Sequence, residues 1–482
     1  MEITDDGKAL SSFEWPLWWR ITILLNVCVY TMLGNMFAAG ITPLFRLIIE
    51  DFHVSTNRVS SLSSYALLAL GLSNLFAVVA SKYIGKRYTT LISLAAFTAV
   101  NVWTVYTRSF GSLLATRVVG GLCGGVIETL GPDFVVHLFQ EKQLASAMVV
   151  YVGFLAGGSA LGPIIAGLLG SATGEWQWYF KFLAILSGIN VITCILMLPE
   201  TTDDIPNDFL DNSGQLDSKN DTEQIRTESA TPTSPPNLLT IWVSRSFKMG
   251  IFDFKRDLNA LQYLYTPFTM ILQPPVIVTI MIFGLTIGWS VASSIILSNV
   301  FQEPPMLWSS RAVGFLSISP LVGLICGLPI GGVLADKLSS RSARQFCGIH
   351  VPESRLVLVT IGAVLSPLGV LIIGITLGQH TGWVGQAFGW GLLSLGLTAS
   401  ANILITYAID CHPLRAPDIA LLVNFTKNLL AFGVSLRSMD WYAEDGPVKQ
   451  FGVMAGTLWA CYLFVLPLYF FGAKLRAHSS FL

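Results

Sequence analysis

Charge is scarce in this chain. Asp, Glu, Lys and Arg occupy 12% of 482 positions, about half the share of roughly 25% in an ordinary soluble domain. With 53% hydrophobic residues, that shortage excludes a water-soluble fold and assigns the chain to a bilayer. The formal net charge is −1 with no basic tract, so nucleic acid is not expected as a partner. Cysteine is sparse too. The seven, Cys28, Cys123, Cys194, Cys326, Cys347, Cys411 and Cys461, are odd in number and scattered. With no CxxC and no paired histidine spacing, they read as small core residues, and neither a metal nor a cofactor is expected. Walker, HExxH and G-x-S-x-G patterns are missing, which argues against ATP as the energy source and against an enzyme. The first residues, about fifteen, are polar and acidic and lack the order of a cleaved signal.

What the chain has is hydropathy in long runs. Twelve apolar segments are long enough to cross a bilayer, centred near residues 33, 70, 98, 123, 157, 188, 287, 323, 366, 396, 427 and 461. The expected fold is all-α and integral to the membrane, with twelve transmembrane helices in two six-helix bundles. The expected organisation is a tail over 1–19, a first bundle over 20–199, a central loop over 200–270, a second bundle over 271–474 and a tail over 475–482. The loop reads as disordered where it is acidic, from Asp203 through Ser234. Its basic aromatic part, with Arg245, Lys248, Lys255 and Arg256, reads as lying along the membrane surface. Trp18, Trp19 and Arg20 suit a headgroup anchor. Lys82, Lys86 and Arg87, with Lys142, Lys337, Arg341, Arg344 and Arg415, fall on one side, which predicts that this side and both tails are cytosolic.

Polar residues inside apolar runs must face protein, water or one another. The first span carries Asn26, Tyr30 and Asn35. In the fourth, Arg117 and Glu128 are three turns apart on one helix face. Each buried charge needs a partner, water or a proton. Glu128 fits a proton or substrate group, and Arg117 either that or a clamp on backbone carbonyls. The eleventh span places Asn424, Lys427, Asn428 and Ser435 on one face, with Lys427 near the midplane or snorkelling to the edge. The tenth offers Ser394, Thr398, Asn402 and Thr406, and the seventh Trp289, Ser293 and Ser294. Asn26, Tyr30, Trp289, Ser293, Asn402, Asn424, Lys427 and Asn428 form the candidate cavity set; any single ladder could equally be interhelical packing. Near the cytosolic ends, Lys82, Arg87, Asp133, His137, Asp336, Arg341 and Asp410 are a candidate gate, or else a solvated loop cluster. The fifth segment, YVGFLAGGSALGPIIAGLLG, has a face of small residues suited to tight packing or to a moving joint.

Several of these stretches resemble one family. GGSALGPIIAG is similar to the glycine-proline motif of helix five in proton-coupled drug exporters of the major facilitator superfamily, with Ala166 where that pattern has glycine. LLATRVVGG resembles the family's arginine motif in helix four, and GGVIETLGP the stretch after it in fungal members. Ala335-Asp336-Lys337 is similar to the family's loop after the second helix of a bundle; in the first copy Ser81 replaces the aspartate. The resemblance is to the fungal twelve-helix drug and metabolite:proton antiporters. It implies alternating access with Glu128 exchanging a proton, Arg117 tuning it, and Gly158, Gly162, Pro163 and Gly167 as a hinge. The implied partners are protons, small organic compounds and the bilayer. A monomer is expected, in the plasma membrane in preference to a vacuolar or other internal membrane. Two alternatives stay open: proton-coupled uptake of polyamines or other organic cations, and a transporter-like membrane sensor.

Overall fold

In a computed structural model of the protein, the described residues are 15–139, 141–199, 264–334, 352–380, 382–412 and 415–479. The reading of the central loop from Asp203 to Arg256 falls outside them, as do Asp336 and Arg341. Every regular element among the described residues is helical.

Among the described residues, eleven stretches are long and apolar enough to cross a membrane: Leu17–Phe52, Thr56–Ile84, Lys86–Val105, Phe110–Leu138, Ala147–Thr173, Gln177–Met197, Pro274–Gln302, Ser310–Gly332, Arg355–Gly378, Val384–Cys411 and Pro417–Gly472. The last holds 56 residues, about 80 Å at a rise of about 1.5 Å per residue, against a hydrocarbon layer of about 30 Å. Its helix breaks at Gly446 (φ 75, ψ 167), with Pro447 next in the chain. Positive φ and a missing N–H end one helix and start another, so this stretch crosses twice and the spans among the described residues number twelve. An even number of crossings puts Leu17 and Ser479 on one face.

Local chemistry sets the other boundaries. Gly85, at φ 94, separates the second and third spans, and Ser109 caps the fourth by accepting the Ser112 N–H. Residues Ile185, Ile189, Ile192 and Leu196 of the sixth span recur on one helix face and are exposed, a stripe that only lipid can cover. One continuous apolar core joins spans one to six, from Trp19 and Phe37 to Phe97, Phe134 and Phe180. The later spans build their own cores, around Trp390 and Phe451 and around Tyr407 and Tyr462.

Among the described residues the seam between the bundles is formed mainly by the second span with the eleventh and the fifth with the eighth, with smaller contacts of the first with the seventh and the fourth with the eleventh. On the face away from Leu17 and Ser479, Ser298 Oγ donates to the Thr42 carbonyl at 2.6 Å and the Arg46 N–H to Gln302 Oε1 at 3.1 Å. Asn57 Nδ2 donates to Asp440 Oδ1 at 2.6 Å, and Ser435 Oγ to Ser64 Oγ at 2.8 Å.

Candidate functional site

The fourth span is built to bring a charge to that seam. Glycines crowd its middle: a β-carbon at Gly121 would lie 2.6 Å from the Ala66 carbonyl oxygen, and one at Gly125 2.6 Å from that of Leu70. Without side chains there, the helix lies directly on the second span. It breaks at Gly125 and restarts as Val126–Leu138, which carries Glu128 in its first turn. Pro132 stands four residues after Glu128 and has no N–H to give to the Glu128 carbonyl. Asn424 Nδ2 at 3.2 Å and the Tyr151 hydroxyl at 3.3 Å donate to that carbonyl instead.

The Glu128 side chain is 1% exposed and lies against Lys427, itself 3% exposed, with Nζ to Oε2 at 3.3 Å. Asn428 Nδ2 donates to Oε2 at 3.1 Å, and Asn35 Nδ2 to Oε1 at 3.2 Å. One carboxylate from the first bundle is thus ligated by its own first span and by the eleventh span of the other bundle. Both Lys427 and Glu128 are satisfied only while the bundles touch here. Removing the charge of one member of such a buried pair costs about 3–5 kcal/mol, because the other is left uncompensated. A proton on Glu128 leaves Lys427 in that position, and only parting of the bundles or a new partner relieves it. Phe283 of the seventh span faces Lys427, its ring centre 5.9 Å from Nζ.

Arg117 takes the other arrangement left open for it. Its Nη2 donates to the Ala38 carbonyl at 3.0 Å and its Nε to that of Leu62 at 3.4 Å, and the guanidinium lies 4.0 Å from the centre of the Phe37 ring. It ties the end of the first span to the second and fourth.

Of the expected cavity set, the structure brings Asn424, Lys427 and Asn428 to Glu128 and sends the others elsewhere. Asn26 accepts a hydrogen bond from Asn190 of the sixth span, Nδ2 to Oδ1 3.4 Å. The Tyr30 hydroxyl donates to the Cys123 carbonyl at 2.7 Å inside the first bundle. Ser293 donates to the Trp289 carbonyl of its own helix at 2.8 Å, and the Trp289 ring leans on Trp441 with 6.3 Å between centroids. Asn402 is half-buried, its carbonyl accepting from Thr406 at 2.7 Å.

The glycines of the fifth span pack on both neighbours. A β-carbon at Gly158 would lie 2.5 Å from the Met32 carbonyl oxygen, and one at Gly162 3.0 Å from Met36 Cα, both in the first span. Across the seam, Gly167 meets Ser310 and Gly314 of the eighth span, and Gly314 faces the Pro163 carbonyl. The helix runs unbroken from Glu141 to Thr173 through Pro163.

Toward the face of Leu17 and Ser479, the charged residues pair within a bundle. Asp133 Oδ2 lies 2.8 Å from Lys86 Nζ, and Oδ1 lies 3.3 Å from His137 Nδ1. Arg87 Nη2 donates to the Ile195 carbonyl at 3.1 Å, and Lys82 is exposed. Asp410 pairs with Arg355 at 3.0 Å. Four residues in contact with the expected ones thus escaped the expected sets: Asn35, Tyr151, Lys86 and Arg355. Pro132 signalled one of them, since a carbonyl deprived of its helical donor has to find another.

A two-bundle membrane protein whose only buried acid at the seam is shared between the bundles, among the described residues, has the build of a carrier rather than of a channel or an enzyme. The Major Facilitator Superfamily model matches residues 23–434, and the chain belongs to that family of transporters. It is similar to the MFS transporter cpaT of Aspergillus oryzae, 24% identical over 99% of this chain and 91% of that one. The multidrug transporter DTR1 of Candida glabrata is 26% identical over 88% of this chain and 78% of its own. Among solved structures, the xylose transporter XylE from E. coli, in a partially occluded inward open conformation, superposes with a TM-score of 0.60. It is 13% identical and the match covers 93% of this chain and 99% of that one, which speaks for the fold alone.

Proposed function

We propose that the protein exports small organic compounds in exchange for protons, by alternating access around the Glu128 site. The observation that carries this is the Glu128–Lys427 pair, 3.3 Å apart, buried, and shared between the fourth and eleventh spans. With Glu128 ionised, the pair and its amides hold the bundles together at mid-membrane. A proton on Glu128 removes the attraction and leaves the contact free to part. A solute that donates to the same carboxylate competes with the proton, and competition for one group is what couples opposite fluxes.

The same reading gives the other parts their roles. Arg117 is a positioning residue: it fixes the end of the first span, and so the height of Asn35. The fifth span is the surface on which the bundles slide. Lys86, Asp133 and His137, with Arg355 and Asp410, lock helix ends on the cytosolic face, which is the face of Leu17 and Ser479. The naming of one relative as a multidrug transporter supports a broad organic substrate range. We place the protein in the plasma membrane as a monomer.

Proteoliposomes under an imposed pH gradient test the proposal, with wild type compared with Glu128→Gln over hydrophobic metabolites, cationic drugs and polyamines. Solute-evoked proton flux opposite to the solute, and its loss in the variant, is the expected result. Flux in the same direction would turn the reading to uptake.

A further inference from the structure

The site holds one acid and one base, and among the described residues no third charged group touches either. Lys427 Nζ lies 3.3 Å from Glu128 Oε2, while Asn428 and Asn35 supply one amide N–H to each carboxylate oxygen, at 3.1 and 3.2 Å. Because the two charges sit on opposite bundles, a solute admitted between the bundles enters between the charges. It then lies within contact distance of both.

The net charge of the solute decides whether it can stay. A permanent cation can replace Lys427 on the carboxylate, but it then sits beside an ammonium that has lost its partner. At an effective dielectric constant of about 20, two like charges about 4 Å apart lower affinity by a factor on the order of a thousand. An anion at Lys427 meets the mirror problem with Glu128. A neutral polar or zwitterionic solute meets neither. Its donor end takes Glu128, its acceptor end takes Lys427, and the amides of Asn35 and Asn428 keep their roles.

We propose that the Glu128–Lys427 couple is a charge filter that admits solutes of zero net charge, with a donor at one end and an acceptor at the other, and that Lys427 turns organic cations away. This rests on the seam site being the solute site of the proposed exporter. It names the solute class and sets polyamines outside it.

The test is equilibrium binding to purified protein in nanodiscs at pH 7.5, with tetraphenylphosphonium as the cationic probe and 2-naphthoate as the anionic one. Wild type should bind neither in a saturable, Glu128- or Lys427-dependent way. Lys427→Gln should gain phosphonium binding tenfold or more tighter than wild type. Glu128→Gln should gain naphthoate binding by a similar factor, and the double variant should gain neither. Lys427→Asn serves as the second neutral variant should the glutamine form fail to fold, and Lys427→Arg should keep the exclusion. Phosphonium binding to wild type that Glu128→Gln removes would overturn the filter, and so would a folded Lys427→Gln or Lys427→Asn that binds no better than wild type.

Proton uptake after an acid pulse, measured on the same preparations, separates the two readings. Equal uptake by wild type and Glu128→Gln would remove the proton carrier and leave the filter standing. Phosphonium binding to wild type with the uptake difference intact would remove the filter alone.

Discussion

Pro132 follows Glu128 by four positions, and that interval decides how the acid is held. Proline withholds the one N–H that would have satisfied the Glu128 carbonyl, and Asn424 and Tyr151 reach in from two other spans to supply it. Tyr151→Phe should therefore cost about 1 kcal/mol, the net worth of an ordinary hydrogen bond, read as a lower melting temperature in detergent with Asn424 still bonded. Arg117 makes a larger contribution. Replacing it with Met takes the guanidinium off the Ala38 and Leu62 carbonyls, the second of which keeps its own helical donor, and removes the cation from the Phe37 ring. We predict a loss of about 3 kcal/mol, a smaller loss for Arg117→Lys, and proton uptake at Glu128 unchanged in both. A shifted pH dependence of uptake at unaltered stability would instead give Arg117 a direct part in proton transfer. The charges at this scale were legible in the sequence, because an intramembrane Glu and Lys cannot go unpartnered. The amides were not. At about 100° per residue, Asn26 and Asn35 point to opposite faces of the first span, so at most one can face the seam, and nothing in a single sequence says which. The structure gives Asn35 to Glu128 and Asn26 to Asn190.

At the scale of elements, the fifth span carries two roles on adjacent glycines. An added β-carbon at Gly157 meets nothing within 4 Å, whereas at Gly158 it runs into backbone of the first span, 2.5 Å from the Met32 oxygen. Gly157→Ala should leave stability and transport within error. Gly158→Ala should lower the melting temperature, because the first and fifth helices must separate to admit one methyl group. Gly167→Ala should behave differently again. Its added carbon strikes Ser310 and Gly314 of the other bundle, so transport should fall more than stability does, a split readable by comparing initial export rates with melting curves. Twelve crossings and the six-and-six division of a family member could be read from hydropathy, since bilayer thickness fixes span length. Less could be read of the interruptions. The fourth span breaks at Gly125, and the eighth breaks after Leu316 and takes a π-helical turn at Ile330–Leu334. Glycine and proline in these helices mark where a break is allowed, while the neighbouring helix decides whether it happens.

For the whole molecule, the contacts that decide its state join residues far apart in the chain. Thr42 and Ser298 are 256 positions apart, Asn57 and Asp440 383, and Ser64 and Ser435 371, beyond the reach of any periodic pattern. They all lie on the side of the seam away from Leu17 and Ser479, so the bundles are tied there, and under the proposed alternating access they must come apart there once in every cycle. Each bond alone contributes only about 1 kcal/mol, which suits a contact that forms and breaks repeatedly. The Ser64 and Ser435 hydroxyls are buried and 2.8 Å apart, close enough for a pair of cysteines to oxidise. Ser64→Cys combined with Ser435→Cys should therefore cross-link under mild oxidant and stop export, and a reductant should restore it. Either single cysteine should transport with and without oxidant, which separates the cross-link from the seven native thiols. A cross-linked protein that still exports at the wild-type rate would mean that the second and eleventh spans never part at this height. The rocking of two bundles would then have to give way to a smaller movement confined to the spans around Glu128.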